Sequence, residues 1–186
     1  MSFYSEFAEH YDEVFPFEPE VYAFLKRLLR RPAGRVLDIG CGSGDYCGAF
    51  ANDGSTVVGV DLDPWMIERA RNRHRGPDFR VLSMEDIGAL PGRFDLVYCI
   101  GNVAAHLRRE RVHVFLSTLR GLLEERGLWA LQTVNWDFVL RLDSYRFPDV
   151  VVPGSGLRFE RLYSPVSRSG TRFFTRLVDG ESVVFE

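Results

Sequence analysis

The sequence has few of the residues that would tie it to a metal, a disulfide framework or a membrane. It contains three cysteines and four histidines in 186 residues, and neither type falls into a metal-ligand or CxxC spacing. The longest apolar runs are too short to span a bilayer, and the opening residues MSFYSEFAEHYDE carry acids where an export signal would carry bases. We therefore expect no bound metal, free thiols and a protein of the cytoplasm.

The sequence also lacks a strong excess of either charge. Its formal net charge is −3, from 23 basic and 26 acidic side chains, whereas a protein that binds nucleic-acid backbones usually presents a basic face. The arginine-rich stretches 26–31 and 69–75 fall in helical patterns, which favour a solvent-facing charged surface. The charge balance argues against a nucleic-acid partner and leaves a homodimer open.

Strand and helix patterns alternate along most of the chain. The length and the 46% apolar content allow one sizeable core, so we predict a single domain over residues 1–186. Its parts would be a helical lid (1–31), a core (32–135) and a β-rich appendage (136–186). The predicted core strands cover residues 35–39, 56–60, 79–82, 94–100 and 128–134, with a helix over 108–125 before the last.

This alternation predicts an α/β fold: a doubly wound, mostly parallel, Rossmann-like sheet with helices on both faces. After residue 135 the pattern changes. Short β-rich segments at 157–164, 171–178 and 182–185, with a tight-turn signal at Asp179-Gly180, predict an antiparallel appendage.

A glycine-rich loop, GCGSG at residues 40–44, lies between the first strand and the next helix. Such a loop brings a nucleotide-like ligand against bare backbone at the carboxyl edge of a parallel sheet, although it also occurs as a tight turn without a ligand. Asp38 precedes the loop, and Asp45 follows it, where it can also cap the helix. Both acids would repel a diphosphate, whereas S-adenosylmethionine has a cationic ammonium and sulfonium and no phosphate.

Two further acidic positions extend the pattern. Asp61 ends the second strand, where a carboxylate can accept hydrogen bonds from both ribose hydroxyls; the capping role at the next helix fits Asp63 better. Glu85 and Asp86 follow the third strand, where a carboxylate can accept from the adenine amine, or can simply lie on the surface. Leu62 and Met66 are candidates to sandwich the adenine ring.

Three segments resemble the signatures of the class I S-adenosylmethionine-dependent methyltransferases. VLDIGCGSGDY resembles their first motif and GVDLDPWMIERAR their second, while FDLVYCIGNVAAHL is similar to the strand and loop that face the methyl group. The lead-in with Tyr4 and Tyr11 is similar to that of the small-molecule branch, and the resemblance covers roughly residues 4–140.

The resemblance implies a role for each matching residue. Asp38, Gly40, Gly42 and Gly44 would surround the methionine moiety, and Asp61 would bind the ribose. Asp86 would lie at the adenine amine, Gly101 and Asn102 near the sulfonium, and Tyr4 and Tyr11 in a lid over the cofactor. Class I folds usually continue past the fifth strand with a helix and two more strands, and we expect those terminal strands to be absent from these 186 residues.

The resulting hypothesis is methyl transfer from S-adenosylmethionine to an oxygen or nitrogen of a small molecule, with S-adenosylhomocysteine as product. His106 is the candidate base for an acceptor proton, or else the start of a solvent-facing helix. Asn135, Trp136, Arg161 and Tyr163 are candidate acceptor contacts, though Trp136 and Tyr163 also suit ordinary packing. The alternatives are an NAD-dependent oxidoreductase, whose third fingerprint glycine would stand at Asp45, and a non-catalytic module that binds S-adenosylmethionine.

Overall fold

A computed structural model describes residues 10–185 of the chain. Contacts group these residues into two compact units, one of residues 17–133 and the other of residues 10–16 together with 134–185. The division at residues 133 and 134 lies beside the boundary at residue 135 between the predicted core and appendage. That the whole chain forms a single domain stays a prediction.

The regular elements follow the predicted alternation. In chain order the described α-helices are α1 (Tyr11–Val14), α2 (Pro19–Leu28), α3 (Asp45–Asn52), α4 (Pro64–Arg73), α5 (Val112–Leu122) and α6 (Trp136–Val139). Short 3-10 helices cover Met84–Ala89, Val103–His106 and Arg109–Arg111. None of the helices in this described part is long and apolar enough to cross a membrane.

The larger unit is built on a five-stranded sheet. Its strands are β1 (Arg35–Ile39), β2 (Thr56–Asp61), β3 (Asp78–Val81), β4 (Phe94–Cys99) and β5 (Leu123–Leu131). The spatial order is β3-β2-β1-β4-β5 and every pairing is parallel. The order reverses at β1, so the loop after β1 opens at the switch point where doubly wound sheets bind ligands.

Helices cover both faces of this sheet because its central strands are apolar on both sides. Leu37 and Ile39 of β1 pack with residues of α5 and of the Met84–Ala89 helix. Val36, one position away, belongs to a second cluster that includes residues of α2, α3 and α4. The predicted α/β, doubly wound parallel fold is confirmed.

The junction between α5 and β5 differs from the prediction. The helix was expected over residues 108–125 and the strand over 128–134, but α5 ends at Leu122 and β5 begins at Leu123. Leu123 pairs with Phe94 and Leu128 with Leu96, so the intervening residues 124–127 form a bulge. The charged residues 124–126 continue a helical pattern, and only the pairing of Leu123 with Phe94 shows that the strand has begun.

The smaller unit contains an antiparallel sheet. Its strands are β6 (Tyr145–Arg146), β7 (Val150–Val151), β8 (Leu157–Tyr163), β9 (Phe173–Asp179) and β10 (Ser182–Phe185). The order is β10-β9-β8-β6, and β7 also pairs with β8. The predicted β-rich appendage is confirmed, including the tight turn between β9 and β10, where Gly180 adopts a positive φ of 58°.

Candidate cofactor site

The glycine loop after β1 is a left-handed turn enclosed by side chains. Gly40, Gly42 and Gly44 have φ angles of +79°, +52° and +80°, which L side chains rarely adopt. A Cβ on Gly40 would lie 2.6 Å from the methyl groups of Val103, and one on Gly44 would lie 2.6 Å from the ring of Phe79. The loop therefore needs glycine for both backbone conformation and space.

The amides of this loop are largely used inside the protein. The N–H groups of Gly40 and Cys41 donate to the carbonyl of Val60, at 2.8 and 3.0 Å, and that of Gly44 donates to the carbonyl of Cys41. The N–H of Gly42 donates to Oδ2 of Asp61 at 2.9 Å. A diphosphate is normally held by free loop amides, so this loop is poorly suited to one.

Asp38 is buried beneath the loop, with 2% of its surface exposed. Its Oδ2 accepts a hydrogen bond from the hydroxyl of Tyr98 at 2.9 Å and from the thiol of Cys47 at 3.4 Å. Its Oδ1 is buried without a partner among the described residues. Burial, with a smaller contribution from the nearby charge of Asp61, raises the pKa of Asp38 to about 7, although the two hydrogen bonds oppose this rise.

Asp61 lies at the end of β2, as the motif predicts. Its Oδ2 accepts from Gly42 and its Oδ1 from the N–H of Asp63 at 2.9 Å. Burial raises the pKa of this carboxyl as well. A carboxylate has about four acceptor positions, so Asp61 retains the capacity to accept from ribose hydroxyls. Asp63 caps α4 by accepting from the N–H of Trp65 at 2.8 Å, as expected.

Asp45 does not cap α3, which corrects the sequence-based interpretation. Gly44 occupies the N-cap and no side chain makes the capping bond. The carboxylate of Asp45 instead accepts from Nε2 of His74 at 2.9 Å and contacts Nη2 of Arg73 at 3.1 Å. Its charge is balanced there, so Asp38 and Asp61 are the acids at the loop without a basic partner among their described contacts.

The residues predicted around the adenine have different environments. Leu62 is 72% exposed whereas Met66 is buried at 1%. Both carboxylate oxygens of Glu85 accept from Arg108, at 2.9 and 2.6 Å, and this partner lowers the pKa of Glu85. Asp86 is exposed. The arginine partner on Glu85 favours Asp86 as the acceptor for an adenine amine, and the adenine site stays a prediction.

The loop after β4 brings together the residues predicted near the sulfonium. Gly101 and Asn102 have positive φ angles of 70° and 63°. The N–H of Gly101 donates to Oε1 of Gln132 at 2.8 Å, and Oδ1 of Asn102 accepts from the hydroxyl of Thr133 at 3.0 Å. His106 ends the following 3-10 helix and is exposed. This loop is anchored to the end of β5, a link that strand periodicity alone does not reveal.

The remaining predicted site residues belong to the smaller unit or lie outside the described residues. Tyr4 lies outside them, and Tyr11 lies in α1, where its ring packs 5.2 Å from that of Phe15. The predicted lid role of both tyrosines stays a prediction.

The four candidate acceptor contacts are each engaged within the smaller unit. Asn135 caps α6 by accepting from the N–H of Phe138, and the rings of Trp136 and Tyr163 stack with centroids 5.2 Å apart. The guanidinium of Arg161 lies 5.1 Å from the ring centroid of Phe147, and burial lowers its pKa. Their role towards an acceptor stays a prediction.

Sequence reasoning missed Tyr98 and Cys47. Tyr98 reads as one apolar residue of a buried strand, and Cys47 as one small residue of a short helix. The available signal was register: Asp38 pairs with Tyr98 across β1 and β4, and side chains at paired positions of neighbouring strands lie on the same face.

Comparison with known proteins finds methyltransferases. Residues 36–127 match a family model described as "Methyltransferase domain". A ubiquinone biosynthesis O-methyltransferase of Xanthomonas campestris is 32% identical over 142 residues, which cover 66% of this chain and 58% of that protein. One of the same name from Xylella fastidiosa is 28% identical over 150 residues, or 70% of this chain and 60% of that protein. The chain thus spans less than two thirds of these relatives' length.

Solved structures share the fold. An amino pentose methyltransferase from Micromonospora echinaspora, solved with bound S-adenosylmethionine, matches with a TM-score of 0.70 and 21% identity, over 92% of this chain and 80% of that one. A sugar N-methyltransferase from Streptoalloteichus matches with a TM-score of 0.64 and 22% identity, over 96% and 77%. At these identities the likeness is one of architecture.

The glycine loop in its acidic setting, the parallel sheet that presents it and the matches to the methyltransferase domain agree with one another. Residues 36–127 belong to the methyltransferase-domain family, and the chain shares the fold of S-adenosylmethionine-dependent methyltransferases.

Proposed function

We propose that this protein binds S-adenosylmethionine at the carboxyl edge of the parallel sheet and transfers its methyl group to an oxygen or nitrogen of a small molecule. The observation that carries the proposal is the electrostatic character of the loop after β1. Four of its five amides donate hydrogen bonds within the protein, Asp38 and Asp61 lie beside it, and Oδ1 of Asp38 is buried without a described partner. A ligand with an ammonium group and no phosphate matches these groups.

Each part of the cofactor has candidate residues. Asp38 would receive the ammonium of the amino-acid end, and the glycine loop would lie against that end without side chains in the way. Asp61 would accept from the ribose hydroxyls. Leu62, Met66 and Asp86 would contact the adenine, and Gly101 and Asn102 would lie near the sulfonium.

The proposed reaction requires little covalent chemistry from the protein's own side chains. When bound, S-adenosylmethionine supplies a methyl group that is already activated on a sulfonium. The protein's share is to align the acceptor and to exclude water. An acceptor hydroxyl or protonated amine must also lose a proton, and we assign this step to His106, whose exposed imidazole follows the β4 loop.

We propose the methyl acceptor as a chemical class. The relatives named above are O-methyltransferases of ubiquinone biosynthesis, and the structures are sugar and amino pentose methyltransferases. These names support a small-molecule acceptor with a hydroxyl or an amine, rather than a nucleic acid. Three free cysteines fit a reducing cytoplasm.

Calorimetry with S-adenosylhomocysteine and with NAD tests the cofactor assignment directly. We expect binding of S-adenosylhomocysteine and none of NAD at the same concentrations. NAD binding without S-adenosylhomocysteine binding would instead support an oxidoreductase. Methyl-labelled S-adenosylmethionine offered with a panel of hydroxyl and amine acceptors then tests transfer, and binding without any transfer would favour a non-catalytic module.

His106 can be tested with the same labelled transfer assay. His106→Gln should lower the turnover number by about 100-fold, the smaller end of the usual contribution of a general base, while the affinity for S-adenosylhomocysteine is unchanged. A variant with the turnover number and pH profile of the wild type would exclude His106 from the proton transfer.

A further inference from the structure

The carboxyl group of Asp38 is held asymmetrically. Two donors converge on Oδ2, the hydroxyl of Tyr98 at 2.9 Å and the thiol of Cys47 at 3.4 Å. No described residue donates to Oδ1, although this atom is also buried. Burying a hydrogen-bond acceptor without a donor lowers the stability of the folded protein. This cost indicates that the unpaired Oδ1 has a function.

We propose that Tyr98 is a positioning residue for the cofactor. Together with the Cys47 thiol, its hydroxyl holds one oxygen of Asp38, which leaves the other oxygen to receive the ammonium of the cofactor's amino-acid end. This inference rests on the proposed function, and it assigns a task to a side chain that does not itself touch the ligand.

The surroundings of Tyr98 make it suited to this task. It is fully buried, and its position opposite Asp38 is set by the parallel register of β1 and β4. Rotating the Asp38 carboxyl would break the bonds from both Tyr98 and Cys47. The orientation of Oδ1 is therefore set before any ligand arrives, which reduces the entropy lost on binding.

Tyr98 also affects the charge of Asp38. Burial raises the pKa of this carboxyl to about 7, and the hydrogen bonds from Tyr98 and Cys47 oppose the rise because they stabilise the ionised form. Among residues 10–185, the titratable groups that interact electrostatically with Asp38 are acids, thiols and phenols: Cys41 from the loop, Tyr46 and Cys47 from α3, Asp61 from β2, and Tyr98 and Cys99 from β4. A ligand ammonium would supply the positive charge that this group lacks.

Two ligands separate positioning from general structural support. S-adenosylhomocysteine has the amino-acid end, whereas 5′-methylthioadenosine has the same nucleoside and sulfur without it. Tyr98→Phe should weaken S-adenosylhomocysteine binding about tenfold at pH 7, a loss typical of a hydrogen bond to a charged group. It should leave the affinity for 5′-methylthioadenosine unchanged.

The pH profile gives a second readout. Loss of the Tyr98 hydroxyl should raise the pKa of Asp38, so a smaller share of the carboxyl is ionised near neutral pH. The deficit of the variant in S-adenosylhomocysteine affinity should therefore be larger at pH 6.5 than at pH 8. Calorimetry of both ligands across this range measures it.

Tyr22→Phe is the matched control. The hydroxyl of Tyr22 also donates to a carboxylate, Oδ2 of Asp53 at 2.5 Å, within the same compact unit. Its removal should change neither affinity. Cys47→Ala removes the other donor to Asp38. It should weaken S-adenosylhomocysteine binding by less than Tyr98→Phe does and should also leave the affinity for 5′-methylthioadenosine unchanged. This second variant tests the proposal if Tyr98→Phe folds poorly.

The outcomes are distinct. A selective loss of S-adenosylhomocysteine affinity supports the proposal. An equal loss for both ligands would assign Tyr98 a structural role only, and unchanged affinity for both would overturn the proposal outright. Wild-type protein that binds neither ligand would contradict the proposed function itself, and this inference with it.

Discussion

Asp38 and Asp61 lie near the carboxyl ends of neighbouring strands, β1 and β2, yet different kinds of donor hold them. Tyr98 and Cys47 hold Asp38 through side chains, whereas backbone N–H groups of Gly42 and Asp63 hold Asp61. Asp61 thus fixes the shape of the glycine loop as well as facing the proposed ribose site. Its substitution should affect both stability and binding.

Asp61→Ala removes the acceptor for two backbone donors and for the ribose hydroxyls. The free energy of unfolding should fall by about 1–3 kcal/mol, and the binding free energy of S-adenosylhomocysteine should fall by about the same amount. Because 5′-methylthioadenosine keeps the ribose, its affinity should fall in parallel, unlike the selective effect expected for Tyr98→Phe. Urea titration and calorimetry measure the two quantities.

Asp78→Ala is a suitable control for this prediction. Asp78 starts the neighbouring strand β3, is exposed, and its carboxylate pairs with Arg80. Its loss should leave the binding of both ligands unchanged. If Asp61→Ala bound both ligands as the wild type does, Asp61 would have no place in the ribose site.

At the scale of elements, the junction of α5 and β5 depends on one close backbone approach. The helix ends at Leu122, the strand starts at Leu123, and the bulge 124–127 absorbs the mismatch in register. A Cβ on Gly127 would lie 2.7 Å from the carbonyl oxygen of Phe94. Neither backbone can move without disturbing the pairing of β4 and β5.

Two glycine-to-alanine substitutions should therefore have opposite effects. Gly127→Ala should lower the free energy of unfolding by about 1–3 kcal/mol, the usual cost of overpacking. Gly121→Ala, on an exposed position of α5 with open space around it, should raise it by about 0.5 kcal/mol because alanine favours a helix. Urea unfolding of both variants tests the pair, and a neutral Gly127→Ala would show that the bulge adapts easily.

For the molecule as a whole, the buried carboxyl of Asp38 couples stability to pH. In the unfolded chain it ionises near its ordinary value of 3.8, but burial raises its pKa in the folded state to about 7. Between these values the folded state binds more protons than the unfolded state, so the contribution to stability is full below pH 3.8 and is lost as the pH rises towards 7.

Asp38→Asn should remove this dependence, since an amide does not ionise. The free energy of unfolding of the variant, relative to the wild type, should increase from pH 4 to pH 7 and level off above it. Urea titrations across this range measure the difference, and a difference that stayed constant with pH would contradict the assigned burial effect.

Asp53→Asn provides a control of opposite sign. Its exposed carboxylate pairs with Lys26, and this partner lowers its pKa. The carboxylate therefore contributes stability above its ordinary pKa and loses it as the pH falls. Relative to the wild type, the free energy of unfolding of the variant should therefore be lowest at neutral pH, and the difference should shrink at acid pH.

The sequence alone determined the elements whose signals are local. The alternating strands and helices, the glycine loop between β1 and α3, the cap at Asp63 and the turn at Asp179-Gly180 all depend on residues close together in the chain. The same holds for the family, because its motifs are short contiguous segments at the ends of strands. These predictions agree with the structure because periodicity and backbone sterics act over a few residues.

Only the tertiary structure decided which side chains share a partner. Asp45 pairs with His74 instead of capping a helix, Glu85 is held by Arg108, and Tyr98 orients Asp38 across sixty positions of sequence. Such pairings are set by sheet register and by the cost of burying an unpaired charge, which depend on residues far apart in the chain. These long-range pairings determine the charge and orientation of the side chains in the candidate site, whereas the local pattern determines where the site lies in the fold.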